Sequence, residues 1–200
     1  MTIHELLLRR YAAKKFDSAK RVSEADLADI LEAGRLSCSS ANTQPWHITV
    51  ITNPELRTTL KEASYGQAQV TDAGHLLVLS CMKDPLVRIN RTVGLIKEKA
   101  GSEAAENYHK MVMGWIPPTP EAVFHWLKPQ VYLALQAMIL AAAEKGIDSC
   151  PMEGFNPVKY AEILGFTDKT PVALLTLGYA VEPGHPKIRV PLEELVDYRN

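Results

Sequence analysis

Polar side chains that could bind a ligand are concentrated in residues 37–46, the serine loop, which reads Ser-Cys-Ser-Ser-Ala-Asn-Thr-Gln-Pro-Trp. Short hydroxyl and amide side chains donate and accept hydrogen bonds, so they suit a ligand edge with alternating carbonyl and N–H groups. The loop follows a segment with helical periodicity and precedes a strand-like run, a common position for a binding loop. Turns whose side chains bond their own backbone have the same composition, so both interpretations stay open.

Three further segments carry charges or turn residues. Residues 9–16 read Arg-Arg-Tyr-Ala-Ala-Lys-Lys-Phe, residues 151–154 read Pro-Met-Glu-Gly, and residues 187–189 read Lys-Ile-Arg. Together with the Ser-Ser-x-Asn-x-Gln-Pro-Trp pattern of the serine loop, these segments resemble the FMN-dependent nitroreductase family. The resemblance covers nearly the whole chain, and its four motifs occur in the family's order.

The resemblance implies an FMN site whose phosphate is bound by Arg10, Lys187 and Arg189. The planar guanidinium of arginine matches phosphate oxygens especially well. For any one of these cations alone, a solvated surface charge is the competing interpretation. Lys14 comes four residues after Arg10 and would face the N1–C2=O edge of the flavin, where a fixed cation raises the reduction potential.

The resemblance also places the turn at Glu153 and Gly154 against flavin N5, because glycine lets a backbone N–H approach a flat ring closely. An ordinary turn glycine is the alternative. Lys14, Glu153 and Gly154 are expected to tune the cofactor, and no side chain is expected to be catalytic. Either Gln67 or Gln69 is expected on the pyrimidine edge. The other residues expected near the cofactor are Arg9, Tyr11, Ala12, Cys38, Ser39, Ser40, Asn42, Gln130, Pro151 and Met152.

Hydrophobic periodicity locates the elements that must position these residues. Helices are predicted for residues 3–9 and 130–145 and after the N-cap residues Ser23, Asn53 and Asn156. Strands are predicted for residues 47–51, 76–81 and 171–179. The alternation of strands with dominant helices favours an α+β fold with a central sheet. The resemblance implies that this sheet is mostly antiparallel and flanked by helices, and that residues 1–200 form one nitroreductase-like domain.

Two regions bear on assembly and on the substrate. Residues 130–145 are apolar around the whole helix, which predicts burial on all sides and hence a second subunit. The resemblance implies an intertwined homodimer in which the serine loop reaches the flavin of the other subunit and the tail, residues 191–200, extends onto the partner with some helical character. Residues 83–121 are predicted to form a helical excursion, broken by prolines, that shapes the substrate entrance in the family.

Composition argues against several other classes of protein. The 200 residues are 46% hydrophobic and carry a net charge of -1, so neither nucleic acid nor a membrane is an expected partner. Three widely spaced cysteines predict a reducing, cytoplasmic setting, and Cys38 is expected to be a small packed residue rather than a nucleophile. The six histidines form no i,i+4 pair and no His-Glu-x-x-His pattern, so no metal site is expected. No Walker loop occurs, and no Gly-x-Gly-x-x-Gly follows a strand, which argues against a dedicated dinucleotide-binding fold.

The activity that the resemblance implies is an FMN-dependent oxidoreductase. It would take hydride from NADH or NADPH and reduce nitroaromatics, quinones or similar flat acceptors. Donor and acceptor would use the same face in turn, which predicts ping-pong kinetics. Two alternatives stay open: a reductase specialised for one physiological substrate, such as a dihydropteridine, an enone or free flavin, and a flavin-binding protein without turnover.

Overall fold

Four strands form one antiparallel sheet at the centre of the molecule. The computed structural model describes residues 1–199. The strands are β1 (Trp46–Ile51), β2 (His75–Met82), β3 (Asp148–Met152) and β4 (Lys169–Gly178), in the order β1-β2-β4-β3. The helices are α1 (Ile3–Arg9), α2 (Glu24–Arg35), α3 (Pro54–Glu62), α4 (Gln69–Asp72), α5 (Leu86–Ala100), α6 (Ser102–Met113), α7 (Pro120–Glu144) and α8 (Pro157–Ile163). The expected α+β fold is confirmed.

Strand β2 is buried along its whole length because helices cover both faces of the sheet. Its side chains alternate between the two faces and enter two separate cores. Leu77 and Leu79 pack with α2 and α7, whereas Leu76 and Val78 pack with α3 and α8. The continuous apolar run in the sequence therefore reflects a central strand covered on both sides.

Helix α7 has 25 residues and begins at Pro120, ten residues before the predicted start. Thr119 caps it, because its hydroxyl accepts a hydrogen bond from the Ala122 N–H at 3.2 Å. A proline in the first turn needs no N–H partner and is compatible with a helix start. The predicted excursion therefore consists of α5, α6 and a short proline-rich connection.

One face of α7 is not covered by the described part of the chain. Leu133, Gln136, Ala137 and Leu140 recur at helical spacing and are partly or fully exposed, and Leu133 is 43% exposed. The opposite face packs on α2 and the sheet. A single chain therefore leaves this stripe of α7 uncovered, and the predicted burial on all sides would require a second subunit.

The tail after β4 runs along the surface. Its one helical feature within the described residues is a 3-10 turn at Leu192–Glu194, which limits the predicted helical character to three residues. Ile188, Leu192, Leu195 and Tyr198 are between 67% and 88% exposed.

The periodicity did not predict β3 or the short α4. None of the helices in residues 1–199 is long and apolar enough to cross a membrane.

Arg57 in α3 holds the backbone that leads into β2. It is 4% exposed and donates to the carbonyls of Val70 at 2.7 Å and Ala73 at 2.6 Å. Replacing Arg57 with leucine should lower the free energy of unfolding by about 2–5 kcal/mol, because two buried carbonyls each lose a donor. Urea unfolding measures this loss, with the exposed Arg21→Gln as control. Equal midpoints for Arg57→Leu and the wild type would contradict it.

Candidate functional site

Three cations, the cation cluster, meet where the tail passes the end of α1: Arg10, Lys187 and Arg189. Arg10 follows the last residue of α1, and Lys187 Nζ donates to its carbonyl oxygen. Burial and then the charge of Arg189 lower the pKa of Arg10. Burial also lowers the pKa of Lys187, and Arg10 and Arg189 lower it further. The three charges repel one another, and a bound anion would relieve that repulsion.

The cation cluster has no carboxylate partner among the described residues. None of the ion pairs found in residues 1–199 includes any of the three cations. Arg10 Nε is buried and has no hydrogen-bond partner. A buried N–H without an acceptor costs free energy unless a ligand supplies one. The cluster therefore has both the charge and the free donor of an anion site.

Arg9 and Tyr11 flank Arg10 in sequence but contact other parts of the chain. Arg9 lines a small recess with Ala143 and Ile147 at the C-terminal end of α7. The Tyr11 hydroxyl donates to the carbonyl of Glu182 at 2.6 Å. Through this hydrogen bond, Tyr11 anchors the start of the tail that carries Lys187 and Arg189.

The segment after Tyr11 runs beside β3. Ala12 forms a parallel bridge with Ser149, and the Ala13 N–H donates to the Ser149 carbonyl at 3.1 Å. This pairing places Lys14 Nζ 3.4 Å from Cys150 Sγ. Because β3 leads directly into the Glu153 turn, Lys14 and that turn lie at the same edge of the sheet.

Gln67 contacts the turn that the sequence assigns to the flavin. Its Nε2 donates to the Gly154 carbonyl at 2.6 Å, and Gln69 Nε2 donates to Gln67 Oε1 at 3.0 Å. A Cβ at position 154 would lie 2.9 Å from Gln67 Nε2, so a side chain there would displace the end of the Gln67 side chain from the turn. Gln67 is therefore the glutamine that contacts the turn, and Gln69 donates a hydrogen bond to the Gln67 side chain.

Glu153 is fixed by a tyrosine of α7. The Tyr132 hydroxyl donates to the Glu153 carboxylate, and burial together with this bond raises the pKa of Tyr132. Both residues line a groove with Pro151, Met152 and Gln136. The predicted turn residues therefore border an open groove beside the uncovered stripe of α7.

The serine loop is bonded to the N-terminal half of α7. The Ser40 N–H donates to Gln130 Oε1 at 2.8 Å, and Trp126 Nε1 donates to Ser40 Oγ at 3.2 Å. Gln130, which was expected beside the cofactor, thus contacts the loop. Cys38 is exposed rather than packed, which corrects the expectation from sequence.

The serine loop and the cation cluster lie at different points along α7. The loop contacts Gln130, whereas Arg9 and Arg10 lie beside Ala143. These two positions of α7 are separated by about 20 Å, at about 1.5 Å of rise per residue. Within one chain, the two halves of the predicted site are therefore not brought together.

Sequence reasoning missed two tyrosines that contact predicted site residues. Tyr132 bonds Glu153, and the Tyr108 hydroxyl donates to the Ala41 carbonyl in the serine loop at 2.8 Å. These contacts join residues 21 and 67 positions apart in the sequence. No local pattern marks such a contact.

Comparison with known proteins identifies the family of this chain. The model of a family described as the nitroreductase family matches residues 7–179. The chain belongs to the nitroreductase family. A relative from Staphylococcus epidermidis, provisionally named an NAD(P)H nitroreductase, is 34% identical, and the match covers 98% of this chain and 96% of the relative. A Bacillus subtilis relative with the provisional name NAD(P)H nitroreductase YfkO is 33% identical, with 94% and 93% covered.

Solved structures of nitroreductases share the fold. A structure from Exiguobacterium sibiricum, described as a nitroreductase in complex with FMN, gives a TM-score of 0.90 at 24% identity, covering 100% of this chain and 98% of that one. A nitroreductase family protein from Streptococcus pneumoniae TIGR4 gives 0.86 at 26% identity, covering 99% and 100%. These matches confirm the nitroreductase-like fold, while the roles of individual site residues stay predictions.

Proposed function

We propose that this nitroreductase-family chain is an FMN-dependent oxidoreductase that takes hydride from NAD(P)H and delivers it to a flat acceptor such as a nitroaromatic or a quinone. The observation that carries the proposal is the cation cluster, whose Arg10 Nε lacks an acceptor. The phosphate of FMN has the charge and the oxygens that such a cluster requires. The provisional names of the relatives support the same activity.

The residues around the cation cluster fit the other parts of FMN. Lys14 lies beside β3, where it can face the N1–C2=O edge. Gly154, which has no side chain, allows a flat ring to approach the turn, and Gln67 places an amide beside it. Bound FMN would supply the hydride-transfer chemistry, and the protein would bind and orient it.

Completion of this site is proposed to require a homodimer. The serine loop and the cation cluster are separated along α7, so a loop from a second copy would be needed beside each cation cluster. Leu133, Gln136, Ala137 and Leu140 give α7 an uncovered stripe where two copies could pack. The exposed apolar side chains of the tail supply further surface for the partner.

No side chain is needed as a general acid or base in this proposal. The Glu153 carboxylate is fixed by Tyr132 and borders an open groove, where solvent can supply protons to an acceptor. The donor and the acceptor would use that open face in turn, which leads to ping-pong kinetics. Parallel lines in double-reciprocal plots of the initial rate would support this order.

The first experiment is an absorbance spectrum of the purified protein before and after anaerobic addition of NADH and then NADPH. A flavin spectrum that either donor bleaches supports the proposal and shows the preferred donor. A bound flavin that neither donor bleaches would favour a flavin-binding protein without turnover. A colourless protein that also fails to bind added FMN would overturn the proposal. One acceptor reduced far faster than all others would indicate a specialised reductase.

FMN affinity is expected to fall at both ends of the pH range. At the acid end the phosphate gains a proton near its second pKa of about 6 and loses charge. At the alkaline end Lys187 loses its charge earlier than an ordinary lysine, because burial, Arg10 and Arg189 lower its pKa. Bound phosphate favours protonated Lys187, so affinity is highest below this lowered pKa and declines as the pH rises through it.

Fluorescence titration of the apoprotein with FMN across the pH range measures this profile. Lys187→Arg is the matched control, because arginine keeps its charge at alkaline pH. Its affinity should decline less on the alkaline side than that of the wild type. Identical alkaline profiles for the two proteins would show that Lys187 does not bind the phosphate.

A further inference from the structure

The serine loop adopts a backbone conformation that its residues rarely take. Ala41, Asn42 and Gln44 have φ angles of 48°, 53° and 44°, and none of them is glycine. Left-handed conformations of residues with a Cβ cost free energy and persist only where the surrounding structure enforces them. Something outside the loop is therefore needed to hold it.

Three side chains from α6 and α7 hold the loop. The Tyr108 hydroxyl of α6 donates to the Ala41 carbonyl at 2.8 Å, at the first left-handed residue. On α7, Trp126 Nε1 donates to Ser40 Oγ at 3.2 Å, and Gln130 Oε1 accepts from the Ser40 N–H at 2.8 Å. Burial raises the pKa of Tyr108, so its hydroxyl stays protonated and remains a donor.

The bonds within the loop leave it with free donors. Ser39 Oγ accepts from the Gln44 N–H at 3.0 Å, and Asn42 Oδ1 accepts from Gln44 Nε2 at 3.0 Å. Ser40 Oγ accepts from Trp126. Both hydroxyl protons and the Asn42 Nδ2 protons are thus left to donate, because these groups use acceptor positions in holding the loop. The loop is complementary to a ligand edge made of acceptor oxygens.

We propose that Tyr108 and Trp126 are positioning residues for the cofactor, which hold the serine loop so that Ser39, Ser40 and Asn42 donate to acceptor oxygens of FMN. This inference rests on the proposed FMN site. It also links the excursion to the cofactor, because Tyr108 belongs to α6. Coupling of this kind is reciprocal, so FMN binding should stabilise α6 as well as the loop.

Two conservative substitutions test the proposal. Tyr108→Phe removes only the hydroxyl, and Trp126→Phe removes the indole N–H while keeping an aromatic ring. Each should weaken FMN binding to the apoprotein by about 3- to 10-fold, the effect of losing one neutral hydrogen bond. His109→Gln and Trp115→Phe are the controls, since both positions are exposed on the same part of the chain and should leave the dissociation constant unchanged.

Two further readouts separate positioning from general damage to the fold. The salt dependence of FMN binding should be the same in wild type and Tyr108→Phe, because the cation cluster is untouched. Hydrogen exchange of the α6 amides should slow when FMN binds the wild type, and the slowing should be smaller in Tyr108→Phe. If Trp126→Phe does not fold, Tyr108→Phe alone decides the matter.

Unchanged FMN affinity in the folded variants would overturn the inference, and so would α6 exchange that FMN does not alter in the wild type. Failure of the wild-type protein to bind FMN would instead remove the proposed function and this inference with it. The two failures are therefore distinguishable in the same titration.

Discussion

Replacing Arg10 with alanine is expected to weaken FMN binding by about 10- to 150-fold, since a hydrogen bond to a charged group contributes about 1.5–3 kcal/mol. The reason is the position of Arg10 in the cation cluster, where Nε lacks an acceptor until a ligand provides one. Equilibrium titration of the apoprotein with FMN, followed by flavin fluorescence, measures the change. Arg35→Ala is the control, because Arg35 is paired with Glu32 on the surface.

Riboflavin separates phosphate recognition from damage to the fold. It is FMN without the phosphate, so Arg10→Ala should leave its affinity unchanged while that of FMN falls. The wild-type protein should bind FMN more tightly than riboflavin, and this preference should shrink in the variant. Equal losses for both ligands would mean that Arg10 supports the structure and not the phosphate.

The cation cluster also illustrates a cost that binding sites impose on stability. Burial and mutual repulsion lower the pKa values of Arg10 and Lys187, so the folded chain without an anion holds these charges unfavourably. An anion that binds only the folded state relieves this repulsion and stabilises the protein by an amount that rises with the logarithm of the anion concentration above its dissociation constant. A like-charged cluster without carboxylates is therefore better explained by a ligand than by the needs of the fold.

The central strands and several helix starts could be predicted because their causes are local. Strand β2 appears as a continuous apolar run, and Asn53 is an N-cap whose Oδ1 accepts the Leu56 N–H at 2.8 Å. Strand β3 was missed because its five residues include Asp148 and Pro151, which suit an edge strand but not a hydrophobic pattern. The start of α7 was misplaced because its first-turn proline was taken as a break.

The candidate site was predictable by residue type but not by arrangement. Four motifs in order indicated the nitroreductase family and its cations, whereas the contact of Lys187 with Arg10 spans 177 positions. The bond from Tyr108 to the serine loop likewise depends on the packing of α6, which periodicity does not determine. Long-range contacts of this kind depend on the tertiary structure. The sequence alone therefore predicts which residues belong to the site, but not which residues they contact.

If each FMN site is formed by the cation cluster of one chain and the serine loop of the other, two defective variants should recover FMN binding when they pair in a mixed dimer. The first variant carries Arg10→Ala and Lys187→Ala and so lacks two cations of the cluster. The second variant carries Ser40→Ala and Asn42→Ala and so lacks two donors of the serine loop. Each homodimer should bind FMN poorly, because every site in it lacks one half. A mixed dimer contains one site with both halves intact and one with neither, since a two-fold interface pairs the loop of each chain with the cations of the other.

Random pairing of the two variants should therefore restore about one quarter of the wild-type FMN sites, because half of the dimers are mixed and each has one intact site. Co-expression with two different tags allows the mixed dimer to be purified, and its flavin absorbance should correspond to about half of the wild-type FMN content, because one of its two sites is intact. Pairing Arg10→Ala with Lys187→Ala is the matched control and should restore nothing, since both changes lie in the same half. Absence of recovery in purified mixed dimers would mean that each chain completes its own site, despite the distance of about 20 Å along α7.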